Sequence, residues 1–168
     1  AVGRRLGRCW ERPGRAHEPA TVDLENGAHT ARHLVGRLRA EIVQAGRSQK
    51  TLQILSIGLD AADPAAFQQH GGSGTISDTL LGAAHEAMRP KLDWVVRLPA
   101  PANTCRLVVV MPESGPSEAS AMEQTIRNAF VHWGLSSVTS GIRLSTGLAS
   151  FAGEAHAPAA LELLERPE

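Results

Sequence analysis

The chain has 168 residues, enough for one domain with a real core. Lysine plus arginine equals aspartate plus glutamate at 17 each, so no global charge draws it to nucleic acid or acidic lipid. Hydrophobic residues at 42% and charged residues at 20% fit an ordinary globular domain, and no apolar run approaches the roughly 20 residues of a membrane span. Cys9 and Cys105 are too few for a disulfide framework. With no signal peptide in sight, a reduced, cytoplasmic setting is expected.

Residues 1–26 are expected to be a basic linker or tail from an upstream domain. Arg4, Arg5, Arg8, Arg12 and Arg15 alternate with glycine and Pro13, and there is little apolar periodicity to bury. Glu11 and Glu18 dilute the charge, which favours a solvated linker over an arm for phosphates. The domain proper spans 27–168. Ala31, Leu34, Leu38, Ile42 and Ala45 follow helical spacing and predict an amphipathic helix from Gly27 to Ala45, stopped by Gly46. Glu25, His29 and His33 lie four apart on it, but no second ligand cluster accompanies them, so they are assigned to the solvated face. Leu52–Leu59 predicts the first strand, which runs into Asp60 and Asp63.

Pro64–His70 predicts one or two helical turns, with Pro64 at the first position. The Gly71-Gly72-Ser73-Gly74 run breaks that pattern. Such a loop can offer N–H groups to phosphate, but it lacks the lysine of a P-loop, so a flexible connection is expected. Ser77 is the expected cap of the next helix, 77–89, with Asp78 in its first turn and Leu80, Leu81, Ala84 and Met88 buried. Asp93–Leu98 predicts a short strand with Trp94 and Val96 on one face. Pro99, Pro101 and Asn103 form the turn. Arg106–Met111 is a nearly continuous apolar run, the pattern of a strand covered on both faces. Ser117 is the expected cap of a long helix to 133. Met122, Ile126, Ala129, Phe130 and Trp133 make its core stripe, and Gly134 closes it. A last strand is expected at 138–150, and a short helix at Ala157–Leu164.

This order, a helix and then β-α-(α)-β-β-α-β, predicts an α+β, ferredoxin-like core: an antiparallel sheet with helices packed on one face. Ile57, Leu81, Val108, Val110, Ile126, Phe130 and Leu144 are the expected core residues. An RNA-binding role for such a sheet would call for aromatic residues on the strands, and Trp94 is alone there.

From about Leu34 onward the chain resembles a GGDEF domain, the catalytic domain of diguanylate cyclases, which has the nucleotide-cyclase variant of this core. Leu55-Ser56-Ile57-Gly58-Leu59-Asp60 is similar to the family's first strand with its metal-binding aspartate, and Phe67 matches the aromatic residue beyond it. Ser77-Asp78-Thr79-Leu80-Leu81 is similar to the family's Gly-Asp-x-Leu-Leu, whose aspartate reads guanine. Asp93–Leu98 resembles the lead into the signature, Val108–Pro112 the strand leaving it, and Ser145-Thr146-Gly147 the Ser-x-Gly of the last long strand. The signature itself is replaced by Pro99-Ala100-Pro101-Ala102-Asn103-Thr104-Cys105. Its glycines would let backbone approach a triphosphate, and its acidic residues would hold divalent metal. Gln68 stands where the family has a basic residue. Arg89-Pro90-Lys91-Leu92-Asp93 is one residue longer than the family's Arg-x-x-Asp inhibitory site for its product.

The resemblance therefore implies a degenerate GGDEF-like domain that is not an enzyme. Its expected role is a regulatory or protein-interaction module in bacterial cyclic di-GMP signalling, with Ala31–Ala45 similar to the connector from an upstream sensor. No catalytic residue, metal site or cofactor is expected. The expected partners are other domains or proteins of a signalling pathway, with a homodimer among the arrangements considered. The alternative is an effector that binds cyclic di-GMP or GTP through a residual site at Asp60, Asp78, Arg89 and Asp93.

Overall fold

The computed structural model describes residues 31–136 and 140–152. The basic segment 1–26, Cys9, Glu25, His29, residues 138–139 of the expected last strand and the expected helix at Ala157–Leu164 lie outside them. The described elements are α1 (Ala31–Ser48), β1 (Leu52–Ala61), α2 (Pro64–Gln68), α3 (Gly72–Ala87), β2 (Trp94–Leu98), β3 (Thr104–Pro112), α4 (Pro116–His132) and β4 (Ile142–Phe151). The four strands form one sheet in the order β2-β3-β1-β4, and every pairing is antiparallel. This is the α+β, ferredoxin-like arrangement expected from the element order.

Alternation along β1 divides the core in two. Leu55, Ile57, Leu59 and Ala61 join Leu80, Leu81 and Ala84 of α3 and Met122, Ile126 and Phe130 of α4. Leu52 and Ile54 point the other way. There they meet Leu34, Leu38, Ile42 and Ala45 of α1, with Trp94, Val96, Val108, Val110 and Phe151. The sheet is thus covered on both faces at one end, whereas helices on one face were expected. The reason is the continuous apolar run of β3: Leu107 to Pro112 are all buried, and each face needs a cover. Arg37 stacks over Trp94 at 4.5 Å, a cation–π contact that fixes α1 on this second face.

Several expected boundaries move for local reasons. α1 continues through Gly46 and ends where Gln49 turns left-handed at φ 53°; Ser48 Oγ donates to the Gln44 carbonyl there. Gly72, Ser73 and Gly74 begin α3 instead of forming a loose connection, because Gly71 and Gly72 supply the positive φ of the sharp entry. Ser77 is therefore buried inside α3 rather than capping it. The cap of α4 lies two residues before Ser117: Gly115 is the cap, Pro116 opens the helix, and Glu118 Oε2 accepts from Gly115 N–H at 2.9 Å. At its other end Gly134 reverses the chain at φ 71°, and Leu135 N–H donates to the Phe130 carbonyl. Leu135 is buried by this reversal, while Trp133, expected in the core, is 58% exposed. Leu144 is half-buried, at the edge of the core, because β4 has a neighbour on one side only.

Candidate functional site

The end of the sheet that α1 leaves open is formed by the end of β1, the start of β4 and the β2–β3 hairpin. The hairpin turn is held rigidly. Thr104 N–H donates to the Pro101 carbonyl at 2.9 Å. Asn103 is stitched to β1 twice: its carbonyl accepts from Ala61 N–H at 2.9 Å, and its Nδ2 donates to the Ala61 carbonyl at 3.2 Å. Pro99 and Pro101 have no N–H to offer a ligand. The turn carries no acid between Pro99 and Cys105.

Asp60 sits half-buried at the penultimate position of β1, cross-strand from Thr104 on β3 and Arg143 on β4. Its alternation places it with the α1-facing side of the sheet. Asp63 is used elsewhere: its Oδ1 accepts from Ala65 N–H at 2.9 Å and caps α2. Among the described residues no three His, Cys, Asp or Glu side chains gather as a metal site. A divalent ion of the kind the family uses does not fit this donor set, since a lone carboxylate beside an arginine neither neutralises the ion nor replaces its waters.

Asp78 lies in the second turn of α3, not the first, and its Oδ1 accepts from Arg97 Nη1 at 3.1 Å. Both side chains are well exposed, at 56% and 37%. Beside them a pocket of about 250 Å³ opens between the start of α3 and the hairpin. Ser73, Gly74 and Ser77 line one side, and Arg97, Leu98, Pro99, Ala100, Thr104, Cys105 and Arg106 the other. Burial pushes the Cys105 thiol above its ordinary pKa, and the neighbouring Ser77 hydroxyl pulls weakly the other way, so the thiol stays protonated near neutrality.

Arg89 and Asp93 are brought together, but at the opposite end of the sheet from this pocket. They bind each other: Arg89 Nη2 donates to Asp93 Oδ1 at 2.7 Å, and Arg89 N–H donates to Oδ2 at 2.8 Å. Nη2 also reaches the Pro112 carbonyl at 2.6 Å and Ser114 Oγ, while Nη1 donates to the Glu113 carbonyl. The Asp93 side chain is only 3% exposed. The hydrogen bond with Asp93 raises the guanidinium pKa still further. The extra residue between Arg89 and Asp93 closes a loop, with Lys91 at φ 66°, that folds the pair onto itself. The four candidate residues therefore do not form one site: Asp60 and Asp78 lie at one pole, Arg89 and Asp93 at the other. Arg97 was missed from the sequence, and the Ser73–Ser77 wall was read there as a flexible connection and a helix cap. The signal available was alternation along β2, which puts Arg97 on the α3 side, opposite Leu107.

No protein-family model matches the sequence, and no curated protein matches it. Solved structures do match in fold. The GGDEF domain of DgcB from Caulobacter crescentus in complex with c-di-GMP superposes with a TM-score of 0.63 at 15% identity, over 88% of this chain and 87% of that one. The FimX GGDEF domain from Pseudomonas aeruginosa gives 0.59 at 19% identity, over 86% and 88%. Diguanylate cyclase SiaD in complex with its activator SiaC, also from Pseudomonas aeruginosa, gives 0.61 at 16% identity, over 85% of this chain and 54% of that one. The chain is a GGDEF-like domain in fold.

Proposed function

We propose that this chain is a catalytically inactive, GGDEF-like regulatory or protein-interaction module of bacterial cyclic di-GMP signalling. The observation that carries this reading is that, among the described residues, no cluster of carboxylates converges on the site. Among the described residues Asp60 has no acid cluster around it, Asp63 caps a helix, and the rigid Pro99–Asn103 turn contributes neither acid nor glycine. Phosphoryl transfer between two triphosphates rests on metal ions clamped by several acids, and the described residues offer no such cluster. A domain that keeps the fold without the chemistry is suited to binding other domains or proteins, as SiaD is bound by its activator. A cytoplasmic setting and a homodimer belong to the same proposal.

A second reading, a guanine-nucleotide effector, draws on one observation: a pocket survives between α3 and the hairpin, with Asp78 at its rim. The Arg89–Asp93 half of that reading is the weaker half, because those two groups are saturated by each other and by the turn after β3. Calorimetric titration of the purified chain with GTP and with cyclic di-GMP separates the two. Binding of neither is the expected result. Saturable binding of either, abolished in Asp78→Ala, replaces the first reading with the second.

A further inference from the structure

Among the described residues, β4 is a sheet edge ten residues long. It pairs with β1 along its whole length and without a bulge. The other edge, β2, has five residues. An exposed edge is ordinarily blunted by proline, lysine, a bulge or a short strand. Ile142–Phe151 has none of these, and Arg143 is its one charged residue. The register with β1 puts Ile142, Leu144, Thr146, Leu148 and Ser150 on the α4 face of the sheet. Leu148 is 44% exposed there.

This side of the edge is organised around Thr146. Its Oγ1 accepts from Arg127 Nη2 and donates to Glu123 Oε1, each at 2.6 Å, and the two charged groups pair at 2.8 Å. The Arg127 and Glu123 side chains both keep an exposed flank. One turn beyond Arg127, Val131 is 60% exposed.

We infer that β4 pairs antiparallel with β4 of a second copy of this chain, about a two-fold axis at Thr146, so that the two sheets become one. A two-fold axis perpendicular to a sheet sets residues of the same face opposite each other. With Thr146 on the axis, Leu144 meets the partner's Leu148, an apolar cross-strand pair that forms twice. Glu123 then faces the partner's Arg127, so opposite charges alternate around the axis. By the rises of helix and strand, Val131 lies level with Leu144 and therefore beside the partner's Leu148. The helices have room. α4 packs over both β1 and β4. With strands about 4.8 Å apart, the two α4 axes come roughly 9–10 Å from each other, the ordinary packing distance of helices. On the other face α1 packs over β1, β2 and β3, away from the middle of β4. The apolar pair and the charge pair are both self-complementary, which selects a second copy over an extended strand of another protein. The inference rests on the homodimer in the reading above, not on its inactivity.

The test is sedimentation velocity of the whole chain over a concentration series. A reversible dimer is expected. Leu148→Lys, at an exposed position, should weaken it at least about tenfold, because the apolar pair is lost twice in each dimer. Arg127→Glu and Glu123→Arg should each sediment as monomers, since each puts like charges around the axis. An equimolar mixture of those two variants should dimerise again, which no rearrangement inside one copy can produce. Val43→Lys, on the exposed side of α1, should dimerise as the parent does. Circular dichroism and thermal unfolding check that each variant is folded. A parent that stays monomeric at every concentration would overturn the inference. So would a mixture that stays monomeric, or a dimer lost in Val43→Lys and kept in Leu148→Lys. A monomer would leave the proposed lack of cyclase activity untouched, so the two fail separately.

Discussion

Arg89 shows how far one residue's role depends on what surrounds it. In the sequence it is half of a residual product-binding pair with Asp93. In the fold it joins the loop after α3 to the turn after β3, through Asp93, Pro112 and Ser114. That turn is tied in its own right to the α1–β1 connection, by Lys50 Nζ to Glu113 Oε2 at 2.6 Å and Thr51 Oγ1 to the Ser114 carbonyl at 2.6 Å. Removing Arg89 leaves the Asp93 carboxylate buried without its counter-charge. Because Arg89 itself is 40% exposed, the loss is discounted from that of a fully buried pair. Arg89→Ala should cost about 2–3 kcal/mol in urea denaturation. An effect within about 0.5 kcal/mol would mean that the pair is ornamental. Two glutamates on α4 contribute to acid sensitivity. Hydrogen bonds from its own N–H, Ser117 and Gly115 hold the Glu118 carboxyl below its ordinary pKa, and Thr146 and Arg127 do the same for Glu123. A depressed folded pKa gives stability that is present above the unfolded value, about 4.3, and is lost as pH falls through the lower folded value. Stability should therefore fall as pH drops below about 4.3. The double variant Glu118→Gln, Glu123→Gln should flatten that fall, as measured by thermal unfolding across pH.

At the scale of elements, α4 separates what periodicity carries from what chain reversal decides. Its stripe of Met122, Ile126 and Phe130 is buried as helical spacing predicts. Trp133 continues the stripe arithmetically, yet the left-handed Gly134 swings the chain and seats Leu135 in its place. Phe130→Ala should thus cost about 3–5 kcal/mol in chemical denaturation. Trp133→Ala should cost under about 0.5 kcal/mol, as for a surface substitution. Equal losses at the two positions would contradict this account of the helix end. The same division governs legibility elsewhere. Strands β1, β2 and β3 could be read from alternation and apolar runs, because each side chain's face follows from local geometry. The cover of the second sheet face by α1 could not be read, since it depends on Leu34 and Leu38 meeting Val108 and Val110 across some 70 residues of sequence. Nor could the true start of α3, where two left-handed glycines open a helix that their composition argues against. In the candidate site, Asp60 and the missing hairpin acids were legible as residues. Their separation from Arg89 and Asp93 was not, because it is a property of the strand order.

For the molecule as a whole, the GGDEF-like fold is what the structure shows, and the inactivity proposed above is argued from the hairpin it carries. The fold needs only the apolar pattern, and that pattern is intact on both faces of the sheet. The hairpin turn from Pro99 to Cys105 carries neither acid nor glycine, and the proposed inactivity rests on that. Metal-dependent condensation of GTP would require at least one further carboxylate beside Asp60. The most direct measurement is incubation of the purified chain with GTP and Mg²⁺ or Mn²⁺ over a range of protein concentrations, followed by chromatography for cyclic di-GMP. No product is predicted at any concentration. Product that forms with the parent chain and disappears in Asp60→Ala would contradict the account, because Asp60 would then belong to a working metal site.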